Sequence, residues 1–123
     1  MAKGFEPART EREWWAMLKS KENGIIRSMK DWNAAVADPR RNPLKGCDPK
    51  TIKHFTANLK FKNGGLGHAD YSRVALELNY HQFKKLWAGF GLGMELFADH
   101  EGYTCSGRGN CKKLSENICT SNC

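Results

Sequence analysis

Four of the five cysteines in this 123-residue chain stand in its last nineteen residues, where their thiols offer metal or redox chemistry. Cys105, Cys111, Cys119 and Cys123 follow the spacing C-x5-C-x7-C-x3-C. In a reducing compartment, four thiolates within so short a span suit a tetrahedral zinc ion or an iron–sulfur cluster. In an oxidising compartment, the same cysteines would form two disulfides, for which three pairings exist.

The residues around these cysteines fit either state. Glycines at 107 and 109 permit a tight turn that would bring Cys105 and Cys111 face to face. His100, five residues before Cys105, is a candidate to replace one thiolate as a metal ligand. The spacing matches neither the C-x2-C pairs of zinc ribbons nor the common ferredoxin runs, so metal, disulfides and free thiols all stay open. The run CSGRGNC resembles one loop of an epidermal-growth-factor-like module, over seven residues and without that module's closely following cysteines.

The compartment decides between these states, and the N-terminus bears on the compartment. The segment MAKGFEPARTERE has no apolar run of the length that a secretory signal needs, and charges begin at Lys3. We therefore expect a cytoplasmic protein with zinc or an iron–sulfur cluster if Met1 is the native start. If the chain is a processed product, we expect an extracellular protein with disulfides and no cofactor.

A second chemical signal is the uneven distribution of positive charge. The net charge is +7, and residues 1–62 carry all of it because residues 63–123 hold equal numbers of basic and acidic residues. Two phenylalanines lie among the lysines of residues 40–62, so this segment could neutralise phosphates while a ring stacks on a base. The predicted binding residues are Arg40, Arg41, Lys45, Lys50, Lys53, Lys60, Lys62, Phe55 and Phe61. They predict contact with nucleic acid or with an acidic partner protein.

Catalytic machinery is not evident in the sequence. The four histidines are spread over different predicted elements, and neither a His-Glu-x-x-His nor a Gly-x-Ser-x-Gly signature is present. Cys47 and His54 would make a thiolate–imidazole pair only if the fold joined them, and a lone cysteine is more often a small buried residue. We expect a protein that is not an enzyme.

The elements that must position these residues are predicted to be mainly α-helical. Thr10 and Glu13 form a capping-box pattern, and Trp14 and Trp32 lie on the apolar stripe that follows. Asp48-Pro49 marks another helix start, running into an extended segment. Two short helices that meet at Asn79 are similar to a helix-turn-helix.

We therefore predict one small helical bundle, with a basic helical domain over residues 1–100. Residues 101–123 form a cysteine-rich, loop-like cap in the same compact unit. No stretch is apolar over the length of a membrane span.

These patterns favour a small, basic, non-enzymatic binding protein with a zinc or iron–sulfur cap. One alternative is a redox protein or metal carrier that uses the four cysteines as ligands. Another is a secreted interaction protein stapled by disulfides.

Overall fold

The computed structural model describes residues 7–19, 25–62, 64–107 and 110–120, except for the side chains of residues 99, 104–107, 110–112, 114 and 115. The helices are α1 (Glu11–Lys19), α2 (Met29–Ala37), α3 (Pro49–Ala57), α4 (Val74–Glu77), α5 (Tyr80–Gly89) and α6 (Met94–His100). The strands are β1 (Lys60–Lys62), β2 (Gly65–Asp70), β3 (Glu101–Gly107) and β4 (Asn110–Cys119).

Side-chain caps fix where several helices begin. Thr10 Oγ1 accepts a hydrogen bond from Glu13 N at 3.1 Å, and Asp48 Oδ1 accepts one from Lys50 N at 2.8 Å. At α5, Asn79 Oδ1 accepts from Gln82 N at 2.8 Å and Gln82 Oε1 accepts from Asn79 N at 2.9 Å, which completes a capping box. The helix starts predicted at Thr10 and at Asp48-Pro49 are confirmed.

The four strands form one sheet in the order β1-β2-β4-β3, and every neighbouring pair is antiparallel. The prediction of a mainly helical bundle is therefore wrong, because the fold is mixed α and β. The strand missed most completely is β2, whose residues 65–69 are all buried. A strand covered on both faces shows no alternation of apolar and polar residues, so it lacks the usual sequence signal.

Glycine conceals β2 further, because GLGHAD looks like a hinge in the sequence. A Cβ on Gly65 would lie 2.4 Å from Leu18 Cδ2, so the glycine allows α1 to pack closely on this strand. The helix-turn-helix interpretation fails at the same time. Helix α4 has only four residues, which is too short for the first helix of that motif.

The segment predicted as a loop-like cap is instead a β-hairpin that belongs to the sheet. Strands β3 and β4 pair with each other, and β4 also pairs with β2 through His68, Ala69 and Asp70. Ile118 on β4 is fully buried. Thr120 Oγ1 donates to Leu66 O at 2.6 Å, so the end of the hairpin is fastened to β2.

Aromatic rings fill the core between the sheet and the helices. The ring centroids of Trp32 and Phe55 lie 5.3 Å apart, and those of Trp32 and Phe90 lie 5.5 Å apart. Trp87 joins this cluster from α5, with its centroid 5.9 Å from that of Phe55. Trp14 and Trp32 are fully buried, which confirms that they are core residues. Helix α5 is therefore anchored by its inner face, and its outer face is free to carry other chemistry.

No helix among the described residues combines the length and the apolarity needed to cross a membrane.

Candidate functional site

A cleft of about 390 Å³ lies between the loop that follows α2 and the outer face of α5. Its lining combines four cationic side chains, two amides and a small apolar surface. These residues are Arg40, Arg41, Lys45, Lys85, Asn42, Gln82, Ile26, Pro43 and Gly89. The volume lies within the range of small-ligand sites in proteins.

The loop wall of the cleft is held by hydrogen bonds to two side chains near its start. Asp38 Oδ1 accepts from Arg40 N at 2.9 Å, and Asn42 Oδ1 accepts from Leu44 N at 2.9 Å. Asp38 O also accepts from Arg41 N at 2.9 Å. Leu44 is fully buried, so the loop is pinned to the core between the cationic residues. The backbone that carries the arginines is therefore ordered by its own turns.

The helix wall is equally well defined. Ile26 N donates to Gly89 O at 2.8 Å, which joins the segment before α2 to the end of α5. On the same side of α5, the capping box holds Gln82 Oε1 on Asn79 N, so the amide nitrogen is the part of Gln82 that can donate to a ligand. Lys85 lies between them along the helix. The cleft thus has donors on both walls.

The electrostatics of the cleft favour an anion. None of its lining residues is acidic, and all four cationic residues are exposed. In the part of the chain that the structure describes, none of the four makes an ion pair within 4.0 Å. Asp38 is the acidic residue closest to the two arginines in sequence, and one of its carboxylate oxygens is occupied by the Arg40 backbone. Four positive charges around one concave space create a strongly positive potential.

The predicted binding residues divide into three groups. Arg40, Arg41 and Lys45 do come together, in the cleft. Exposed lysines elsewhere do not line it, namely Lys50 and Lys53 on α3 and Lys60 and Lys62 on the edge strand β1. Lysines on an edge strand also serve to prevent pairing with other chains, which needs no ligand.

The two phenylalanines are the third group, and the prediction that they stack on bases is wrong. Phe55 is fully buried among Trp32, Trp87 and Phe90. Phe61 is partly buried, and its ring centroid lies 6.1 Å from that of Phe90. Both rings face the core because the residues beside them in the chain take the solvent-facing positions.

Sequence reasoning missed Lys85 and Gln82 as members of the site. A helical projection places Lys85 on the outer face of α5, but nothing local links it to a loop some forty residues earlier. The link arises from the packing of α5 beside the segment that precedes α2.

The predicted metal ligands lie mostly outside what the structure describes. This holds for the side chains of Cys105 and Cys111, whose Cα atoms are partners between β3 and β4, and for all of Cys123. Cys119 is almost fully buried and is disulfide-bonded, so its sulfur is not a thiolate. His100 ends α6 and is partly buried. Among the described side chains, no three His, Cys, Asp or Glu residues are grouped so that they could hold a metal ion.

The Cys47–His54 pair that the sequence left open is not assembled. Burial and the nearby Glu77 carboxylate both raise the pKa of the Cys47 thiol, which is opposite to what a thiolate nucleophile needs. His54 lies instead beside Asp70, with Nε2 3.9 Å from Oδ2. Glu77 accepts hydrogen bonds from Asp48 N, at 2.8 Å, and from the Thr51 hydroxyl. Cys47 therefore lies beside a structural junction between α3 and α4.

Neither a protein-family model, nor a curated protein, nor a solved structure matches this chain, so its function is inferred from the geometry alone.

Proposed function

We propose that this protein is a small, non-enzymatic nucleic-acid-binding protein that holds phosphate groups in the cleft between the 40–45 loop and α5. The observation that carries the proposal is the convergence of Arg40, Arg41, Lys45 and Lys85 on one concave surface without a carboxylate in the lining. Phosphates are the anions that best match several cations close together, because each phosphate carries charge and several acceptor oxygens.

The two arginines add geometry to this charge. A guanidinium group donates two parallel hydrogen bonds to a phosphate, whereas an ammonium group acts as a point charge. Arg40 and Arg41 therefore fit a fixed phosphate, and Lys45 and Lys85 neutralise the neighbouring ones. Lysines outside the cleft extend the positive surface and would steer a long anion towards it.

The cysteine-rich hairpin has a structural role in this proposal. Cys119 is disulfide-bonded at the end of β4, next to the buried Ile118 and the hydrogen bond from Thr120 to β2. A covalent link at this point would hold the sheet edge to the body of the protein. The disulfide at Cys119 supports a staple in preference to a zinc or iron–sulfur cap.

The proposal is tested by fluorescence anisotropy with a labelled oligonucleotide of about 20 nucleotides, titrated at several salt concentrations. The variant Arg40→Gln/Arg41→Gln/Lys45→Gln should bind at least about tenfold more weakly at low salt. Each lost phosphate contact lowers the slope of log K against log salt concentration by about 0.7 for a single strand, so the slope should fall by about 2.

The matched control is Lys50→Gln/Lys53→Gln/Lys60→Gln, which removes the same charge from exposed positions outside the cleft. It should change affinity by less than about threefold. Equal losses in the two variants would show general charge attraction without a site. Binding to polyglutamate as tight as to the oligonucleotide would favour an acidic protein partner and would contradict the proposal.

A further inference from the structure

A second, smaller hollow lies at the beginning of α5, away from the basic cleft. It measures about 210 Å³ and is lined by Ala75, Leu78, Asn79, Tyr80 and Phe83. Tyr80 is 68% exposed, which is unusual for an aromatic side chain in a protein with so aromatic a core. The hollow is therefore a mainly apolar recess with an accessible ring at its edge.

The far wall of this hollow is rigid. The Phe83 ring meets Trp87 edge-on, with centroids 5.7 Å apart, and meets Phe97 in the same way at 5.3 Å. These contacts fix Phe83 from the core side, whereas the ring of Tyr80 stands in solvent. The hollow thus offers one fixed and one accessible aromatic surface, which suits a flat apolar group.

Helix geometry connects the hollow to the cleft. Successive residues of a helix are rotated by about 100°, so Tyr80 and Gln82 lie on opposite edges of the outer face of α5. His81, Lys84 and Lys85 occupy the surface between those edges, and all three are exposed. A helix with its side chains is about 10–12 Å wide, so the path from the cleft to Tyr80 is on the order of 10 Å.

We infer that the nucleic acid bound by this protein is single-stranded. Its phosphates lie in the cleft and over Lys84 and Lys85, and one unstacked base lies in the hollow against the Tyr80 ring. The inference depends on the proposed function and specifies its ligand. In a duplex the base faces are stacked on one another and cannot reach an aromatic side chain, whereas in a single strand they can.

The inference is tested by measuring the affinity of Tyr80→Ala for three labelled ligands at low salt: a single-stranded 12-mer, an abasic strand of the same length and a 12-base-pair duplex. For the unaltered protein, the single strand should bind more tightly than the other two. Tyr80→Ala should lose about tenfold or more for the base-bearing strand, as expected when a stacked base is lost. It should bind the abasic strand unchanged.

Two matched variants separate stacking from folding or general apolarity. Tyr80→Phe keeps the ring and should bind within about twofold of the unaltered protein. Leu76→Ala removes an apolar side chain that is 85% exposed and does not line the hollow, and it should also be neutral.

The possible failures of the two ideas are distinct. If the duplex and the abasic strand bind as tightly as the base-bearing strand and depend on Arg40 and Arg41, the cleft binds phosphate and the single-strand inference is overturned. The same holds if Tyr80→Ala is neutral. If none of the three ligands binds at low salt, the proposed function itself fails.

Discussion

Helices α3 and α5 both carry an aromatic ring among lysines, but they place that ring in opposite environments. On α3, Phe55 is fully buried while Lys53 points to solvent. On α5, Tyr80 is 68% exposed, and Lys84 one turn later is exposed beside it. Lysines next to an aromatic residue therefore do not indicate whether the ring is available to a ligand.

The difference follows from where each ring stands along its helix. Phe55 is one turn after the buried Thr51, so it lies on the inner face of α3 and enters the core. Tyr80 directly follows the N-cap Asn79, and α5 reaches the core only further along, through Leu86 and Trp87. A ring in the first turn of a helix can stay outside the core while the rest of the inner face is buried.

The sharpest way to break this comparison is to remove the buried ring. Phe55→Ala should destabilise the fold by about 3–5 kcal/mol, because the substitution leaves a cavity among Trp32, Trp87 and Phe90. Urea unfolding followed by tryptophan fluorescence measures this loss. A matched substitution on the same helix, Lys53→Ala, should change stability by less than about 0.5 kcal/mol.

A loss below about 1 kcal/mol for Phe55→Ala would mean that the ring is not a core residue. The interpretation of Phe55 as a base-stacking side chain would then return. Oligonucleotide affinity, measured on the folded fraction of the variant, provides the second readout: it should be unchanged.

Much of the local structure was predictable from single residues. Thr10 and Asp48-Pro49 indicate helix starts because their hydrogen bonds are local, and Trp14 and Trp32 indicate the core because large apolar side chains seldom stay in water. The sheet was not predictable in the same way. Strand β2 is buried on both faces and contains two glycines, so neither alternation nor propensity marks it.

The candidate site divides along the same line. Arg40, Arg41 and Lys45 are close in sequence, so the sequence by itself shows that their charges are clustered. Lys85 joins them only through tertiary packing, and no local pattern records that contact. Tyr80 fits the same apolar pattern as Phe83, and only the start of α5 at Asn79 explains why one ring is exposed and the other is partly buried.

A smaller effect is expected at the cap that positions Tyr80. Asn79→Ala removes the acceptor for Gln82 N and should cost about 1 kcal/mol of stability, as is usual for a lost N-cap. Because the cap also orders the first turn of α5, single-strand affinity should fall as well. Asn79→Asp keeps an acceptor oxygen and should retain both properties. Chemical denaturation and anisotropy measure the two effects, and an Asn79→Ala variant with unaltered affinity would show that the first turn does not position the ligand.

The junction between α3 and α4 should make stability depend on pH. The hydrogen bonds from the Thr51 hydroxyl and the Asp48 backbone N–H hold the pKa of Glu77 below its ordinary value of 4.5. A lowered pKa in the folded state stabilises the fold at pH values above the ordinary range, and this contribution disappears as the pH falls through the lowered pKa. Glu77→Gln should therefore be less stable than the unaltered protein at pH 7 and equally stable near pH 2. Thermal melts across this range measure the difference, and a gap that persists at pH 2 would assign the effect to packing.

The smallest expected change in stability is the one that completes the comparison. Tyr80→Ala should alter the free energy of unfolding by no more than about 0.5 kcal/mol, because a ring that is 68% exposed contributes little to the core. If the same variant loses about tenfold in single-strand affinity, stability and binding are carried by different rings on different helices. A destabilisation above about 2 kcal/mol would instead place Tyr80 with Phe55 as a structural residue, because exposed rings that serve only a ligand leave the fold unchanged when they are removed.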